Sequence, residues 1–295
     1  AMAFRRIGAC HEKDARRLKN ILQAAEMTAR FIAVVILSDL RERVKANAAP
    51  PPAALQKPVE NLRRPSFGHW IEIIREGMRA SAESDNFFIP ELRDFVFAQK
   101  IGSPAESFKK LNDIVAIRNR FAHGDMSPAD IGRACDETED SVKDILSALA
   151  FLDAYPPFYV RRINVRKRRL DPLRFTHQFW LLSGPYPEPE AISDERERYT
   201  DTDELILHRE EDGEFINLYP LLVYMDSEHY DETSGIRPDL YVINGFEKKK
   251  DRLDLHYLPC GGSGQAFKTS ELPDEDEWIA LEKGVKEYLE IFCTG

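Results

Sequence analysis

The apolar positions of the first half of the chain repeat at helical spacing. Leu18, Leu22, Ala25, Ala29, Ile32, Ile36 and Leu40 share one face of a stretch without a helix breaker, which predicts one long helix over residues 11–45. Residues 47–58, with Pro50-Pro51-Pro52, end it as a loop. Ser66 is placed as an N-cap for a helix carrying Trp70, Ile73, Ile74 and Met78. A short amphipathic piece with Leu92, Phe95 and Val96 follows Pro90. Ser103-Pro104 reads as the start of a helix to residue 122, with Gly124 just past its end. Ser127-Pro128 repeats the start signal for a helix reaching Tyr155. Four substantial helices and a short one, joined by modest loops, predict an antiparallel bundle.

The pattern changes after Pro156-Pro157. A basic run at 161–169 and a proline- and acid-rich stretch at about 172–202 read as linker. Beyond them Leu205-Ile206-Leu207, the turn Asp212-Gly213, the apolar run 215–225, Leu240-Tyr241-Val242-Ile243, the turn Asn244-Gly245 and alternating Leu253, Leu255 and Tyr257 predict an antiparallel sheet of four or five strands. A closing helix over 275–292 puts Trp278, Leu281, Val285, Tyr288, Leu289 and Phe292 on one face. The expected class is α+β: a helical bundle over 1–158, a linker over 159–203, and a smaller antiparallel β-rich domain with a C-terminal helix over 204–295.

Charge sharpens the division. Residues 1–170 hold 29 Lys and Arg against 22 Asp and Glu, a balance of +7, whereas residues 171–295 hold 12 against 29, or −17. The basic half can accept a polyanion and the acidic half is expected not to. Cys10, Cys135, Cys260 and Cys293 are scattered without a C-x-x-C pair, which argues against a zinc ribbon or disulfide framework and for a reducing, cytoplasmic setting. The longest apolar run, residues 31–37, is too short to span a bilayer, so no membrane partner is expected. Ala1-Met2-Ala3 and the ending just past a helical stretch are read as marks of a fragment.

One constellation carries chemistry. In the helix ending at residue 122, Leu111, Ile114, Ile117 and Phe121 face the core, while Asn119 and His123, four apart, share another face with Arg118 at its rim. A guanidinium can grip a phosphate, and an imidazole can exchange a proton with a ribose hydroxyl or a leaving oxygen. Arg118-Asn119-Arg120-Phe121-Ala122-His123, followed by Gly124, resembles the R-x(4–6)-H motif of HEPN domains. Arg63-Arg64-Pro65-Ser66-Phe67-Gly68-His69-Trp70 adds a resemblance to bacterial HEPN domains of large signalling or defence proteins.

The resemblance covers about half of the chain. It implies a bundle of four or five helices, a homodimer that brings two motifs together, and metal-independent cleavage of RNA. Arg118 and His123 map onto the family's invariant pair and Asn119 onto its polar position. Asp125 replaces the tyrosine that nucleotidyltransferase-controlled HEPN toxins often carry two residues after the histidine, so that mode of control is not expected.

The reading is therefore a HEPN ribonuclease, or the nuclease module of a bacterial defence or stress protein, needing no cofactor. Arg120, Arg161, Arg162 and Arg166 are candidates for holding the RNA backbone. The alternative is a non-catalytic HEPN module that dimerises or senses a ligand, with the β domain binding another protein. His177, His208, His229 and His256 lack ligand-like spacing, so no metal is expected. Gly261-Gly262-Ser263-Gly264 lacks the Lys-Ser/Thr of a P-loop and reads as a turn, and Lys248-Lys249-Lys250 as protection of an edge strand. Phe4, Trp70, Phe87, Phe88 and Trp180 are assigned to cores.

Overall fold

A computed structural model describes residues 12–46, 50–81, 87–169, 173–182, 191–196, 200–225, 239–250, 252–260, 264–272 and 274–293. Phe4, Cys10, His229 and Gly261-Gly262-Ser263 lie outside the described residues. The chain is α+β: helices come first, two antiparallel sheets follow, and a helix closes it.

The long helix α1, Ala15–Lys45, starts where the Asp14 carboxylate accepts the Arg17 N–H at 2.8 Å. By length and composition α1 could cross a membrane, but 72% of its most apolar window is buried inside the fold. It is the core helix around which the rest is assembled. Short α2, Gln56–Glu60, leads to α3, Phe67–Ser81, where the expected cap is present: Ser66 Oγ accepts the His69 N–H and the Ser66 N–H donates to His69 Nδ1. After α4, Leu92–Val96, comes α5, Glu106–Ala122, which begins two residues later than Pro104 predicts. Phe97 and Pro104 form an isolated bridge, and Ala98 N–H bonds Ser103 O, so that segment is a turn instead of a helix start. The next helix α6, Pro128–Ala148, stops short of Tyr155 because residues 150–154 tighten into a 3₁₀ turn. Lys110–Asp144 joins early α5 to late α6, so these two helices run antiparallel, while Arg17–Glu139 and Lys13–Asp136 tie α1 to α6.

The expected linker is sheet. Strands β1 (Pro157–Arg166), β2 (Arg174–Leu181) and β3 (Ala191–Arg196) join β4 (Leu205–His208) and β5 (Phe215–Asn217) in the order β3-β2-β1-β4-β5. The single sheet predicted beyond residue 204 is divided between this one and a second: β6 (Leu222–Met225), β7 (Asp239–Lys249), β8 (Arg252–Pro259) and β9 (Phe267–Lys268), in chain order. Asn244-Gly245 is not a turn. β7 runs through it with a bulge between Ile243 and Gly245, and the chain reverses after Lys250, whose φ is 50°. Gly245 has φ 135°, and a Cβ there would lie 2.8 Å from the Arg63 carbonyl oxygen, so the glycine serves a close approach of the two backbones. β6 pairs only with Asp239–Val242 of β7, so at Lys248 and Lys249 β8 is the one paired strand among the described residues, and Lys249 also pairs with the buried Asp254.

The last helix, α7, Glu275–Cys293, lies across both halves. Tyr288 is buried and its hydroxyl meets Ser38 Oγ of α1 at 2.9 Å; the Glu282 carboxylate accepts the Leu253 N–H of β8 at 2.7 Å. Arg30 of α1 donates to the Ile243 carbonyl of β7. One continuous core includes α1, α3, α5, α6, β6, β7, β8 and α7, so the separate bundle and β domain expected from the sequence share their interior. A smaller cluster of Phe158, Val160, Phe179 and Ile206 fills the other side of the first sheet.

Candidate functional site

The motif ends α5. Phe108, Leu111 and Ile114 are buried, Ile117 and Phe121 pack on the core, and Arg118 stands half-buried at the rim. Asn119, Arg120 and His123 are exposed. The helix closes in a Schellman arrangement: the Asp125 N–H bonds Arg120 O at 3.0 Å, and the Gly124 N–H bonds Phe121 O at 3.2 Å. Gly124 takes φ 76°, a left-handed backbone that leaves the chain free to turn at once. His123 is thus the cap residue itself, its N–H on Asn119 O at 3.1 Å and its ring in solvent. Across the turn, Ser127 caps α6 through a reciprocal pair with Asp130, and these hydrogen bonds hold the Asp130 carboxyl below its usual range.

Arg118 Nη1 donates to Asn119 Oδ1 at 3.3 Å. Asn119 and His123 lie one turn apart on one face, but five residues separate Arg118 from His123, or roughly 140° around the axis and 7.5 Å along it. One copy therefore offers an amide and an imidazole side by side, with the guanidinium turned toward the flank.

The structure brings Arg118, Asn119, Arg120 and His123 to one helix end and does not bring the other predicted RNA contacts there. Arg161, Arg162 and Arg166 are on β1, which begins at the far end of α6, a helix roughly 30 Å long. β1 packs on β2 and β4 instead of α5. Arg161 lies over the Trp180 ring, 5.4 Å from its centre, while Arg162 and Arg166 are exposed.

A second group of functional type was not singled out in the sequence. A cleft of about 880 Å³ opens between the end of α1, the loop before β4, the edge strand β5 and the middle of α7. Burial pushes the Asp39 carboxyl up to about 6, against the opposing pull of Arg43 and of the Phe88 N–H that donates to Asp39 Oδ1 at 3.1 Å. Burial also raises the Glu204 carboxyl and the Tyr219 hydroxyl in this cleft. The available signal was Ser38, Asp39 and Arg41 within the apolar run of a core helix, where charge needs a partner. Among the described residues no group of three or more His, Cys, Asp or Glu could hold a metal ion.

Comparison with family models, curated proteins and solved structures yields no match.

Proposed function

We propose that the chain is a metal-independent endoribonuclease of the HEPN kind, working as a homodimer whose helical halves face one another. The observation that supports it most is His123 at the cap of α5, exposed and one turn from Asn119, with Arg118 on the adjoining flank. A second copy set α5 against α5 supplies what one copy lacks, a second imidazole and a guanidinium directed at the same phosphate. Arg118 holds the scissile phosphate and stabilises its growing charge. One His123 takes the 2′-hydroxyl proton as that oxygen attacks phosphorus. The partner copy's imidazole protonates the departing 5′-oxygen, leaving a 2′,3′-cyclic phosphate.

The test is RNA digestion in EDTA by the wild-type protein and His123→Ala side by side. Each proton-transfer partner contributes about 10²–10⁴ in rate, so the variant is expected to lose detectable cleavage while keeping its melting temperature. Arg118→Ala should be nearly as severe and should also bind RNA more weakly, with Asn119→Ala milder. Equal activity of wild type and His123→Ala, or an inactive wild-type dimer, would replace this reading with the non-catalytic one. That second reading is a module that dimerises or senses a ligand, and the exposed motif lies outside the clefts of about 360, 450 and 880 Å³.

A further inference from the structure

The register of β1 and β2 sorts the basic run onto faces. Tyr159 pairs with Trp180, Arg162 with Gln178, Asn164 with Thr176 and Arg166 with Arg174, so these positions share one side of the sheet. Near Tyr159 that side is the main core. Beyond Trp180 it carries arginine, amide and hydroxyl groups, and Arg162, Asn164, Arg166 and Arg174 are exposed. Across β2 the register continues to Ser193 and Glu195 of β3. Lys167, Arg168 and Arg169 extend the charge past the strand end, all exposed.

Two features distinguish this face from an ordinary solvated strand. Arg166 stands directly across from Arg174, so two cations occupy neighbouring strand positions on one face. Asn164 and Gln178 sit between the arginines, and planar amides present donors and acceptors to base edges. The exposed aliphatic Val165, at 60%, belongs to the opposite face, and Leu173, at 47%, precedes β2, so among the described residues the cationic face itself carries no exposed large aliphatic side chain.

We propose that the outer face of β1 and β2 is a platform for single-stranded RNA, with Arg162 and Arg166 on backbone phosphates and Asn164 and Gln178 toward the bases. Along the strand Arg162 and Arg166 are about 13 Å apart, enough for an extended strand to pass from one to the other. Half-buried Trp180, with Arg161 over its ring, closes the platform at its inner end. The choice of RNA rests on reading the α5 motif as a ribonuclease; the platform itself is a binding surface at the far end of α6 from that motif.

The experiment uses the full chain carrying His123→Ala, so that bound RNA is not consumed, and follows the fluorescence anisotropy of a labelled oligouridine. Arg162→Glu with Arg166→Glu is expected to weaken binding about tenfold or more. The milder pair Arg162→Gln with Arg166→Gln should lower the slope of log affinity against log salt by about 1.4, at roughly 0.7 per lost phosphate contact on a single strand. Melting curves matching the parent show that the sheet is intact. Binding unchanged by both pairs, or absent from the parent, overturns the platform. So does tighter binding of the DNA of matching sequence, or loss of phosphatidylserine-vesicle binding in the Glu pair while oligouridine is not bound at all. Cleavage by the wild-type chain with Arg162 and Arg166 irrelevant to binding would sink the platform and leave the ribonuclease. Arginine-dependent binding without cleavage would do the reverse.

Discussion

The guanidinium of Arg41 lies 4.7 Å from the centre of the Tyr288 ring, 247 positions further along the chain. It also donates to the Tyr219 carbonyl at 2.8 Å and the Asn217 carbonyl at 3.2 Å. One side chain of α1 thereby holds the end of β5, the chain leading to β6, and α7. Removing it leaves two inward carbonyls without donors and an aromatic face uncovered. Arg41→Ala is expected to lower stability by about 2–4 kcal/mol in urea unfolding. Arg41→Lys should recover less than half of the loss, because an ammonium cannot reach both carbonyls while covering the ring. Equal stability of Arg41→Lys and the wild type would show that charge alone suffices there.

Asp39 gives a pH dependence of definite sign. Its folded pKa is about 6, raised from an ordinary value of 3.8, so between these limits the folded state binds more protons than the unfolded one. The contribution of this group to stability is therefore most favourable below pH 4 and declines as pH rises to 6, by at most about 3 kcal/mol. Asp39→Asn keeps an oxygen for the Phe88 N–H and removes the buried charge. The variant should be more stable than the wild type at pH 7.5 and should differ little from it at pH 4. Urea titrations at the two pH values decide the matter, and a less stable Asp39→Asn at pH 7.5 would mean that the Arg43 pairing outweighs desolvation.

A fragment ending at residue 156 tests the shared core. If the helices formed an independent domain, it would unfold cooperatively and remain monodisperse. With the interior continuous from α1 to β7 and α7, the fragment uncovers the flank of α1 that carries Arg30, Ser38 and Arg41, whose partners Ile243, Tyr288 and Tyr219 it lacks. It is expected to bind a hydrophobic dye, to lack sharp near-ultraviolet dichroism and to associate. A sharp melt of that fragment would restore the two-domain division. A cut after residue 170 would separate β1 from β2 and so would not isolate the effect of the acidic half's charge on RNA binding.

The helices were legible because their signals are local. Leu18 to Leu40 keep one spacing, and the Ser127–Asp130 cap and Gly124 are read within a few positions. The strands at 157–181 were hidden by their own charge. Phe158, Val160, Ile163 and Val165 alternate across the sheet, but the bulge at Arg161 shifts the period, and the arginines between them resemble a linker. Asn244-Gly245 misled for another reason: the glycine accommodates the Arg63 carbonyl, a neighbour no short window contains. The candidate site divides in the same manner. Arg118, Asn119 and His123 are close in sequence and were found together, whereas the cleft around Asp39 and Glu204 joins residues 165 positions apart and depends on the assembled fold.

The packing of α1 against α7 has a consequence for how the chain is made. Ser38 leaves the ribosome 250 residues ahead of Tyr288, its hydroxyl partner. At about 5–20 residues per second, roughly 12–50 seconds pass before α1 meets α7. Throughout that interval a long apolar helix stands with part of its surface uncovered, in a crowded solution where it can be bound by whatever holds nascent chains. The order of the elements thus commits this protein to a wait, and its yield in a cell depends on how α1 is sheltered until α7 arrives.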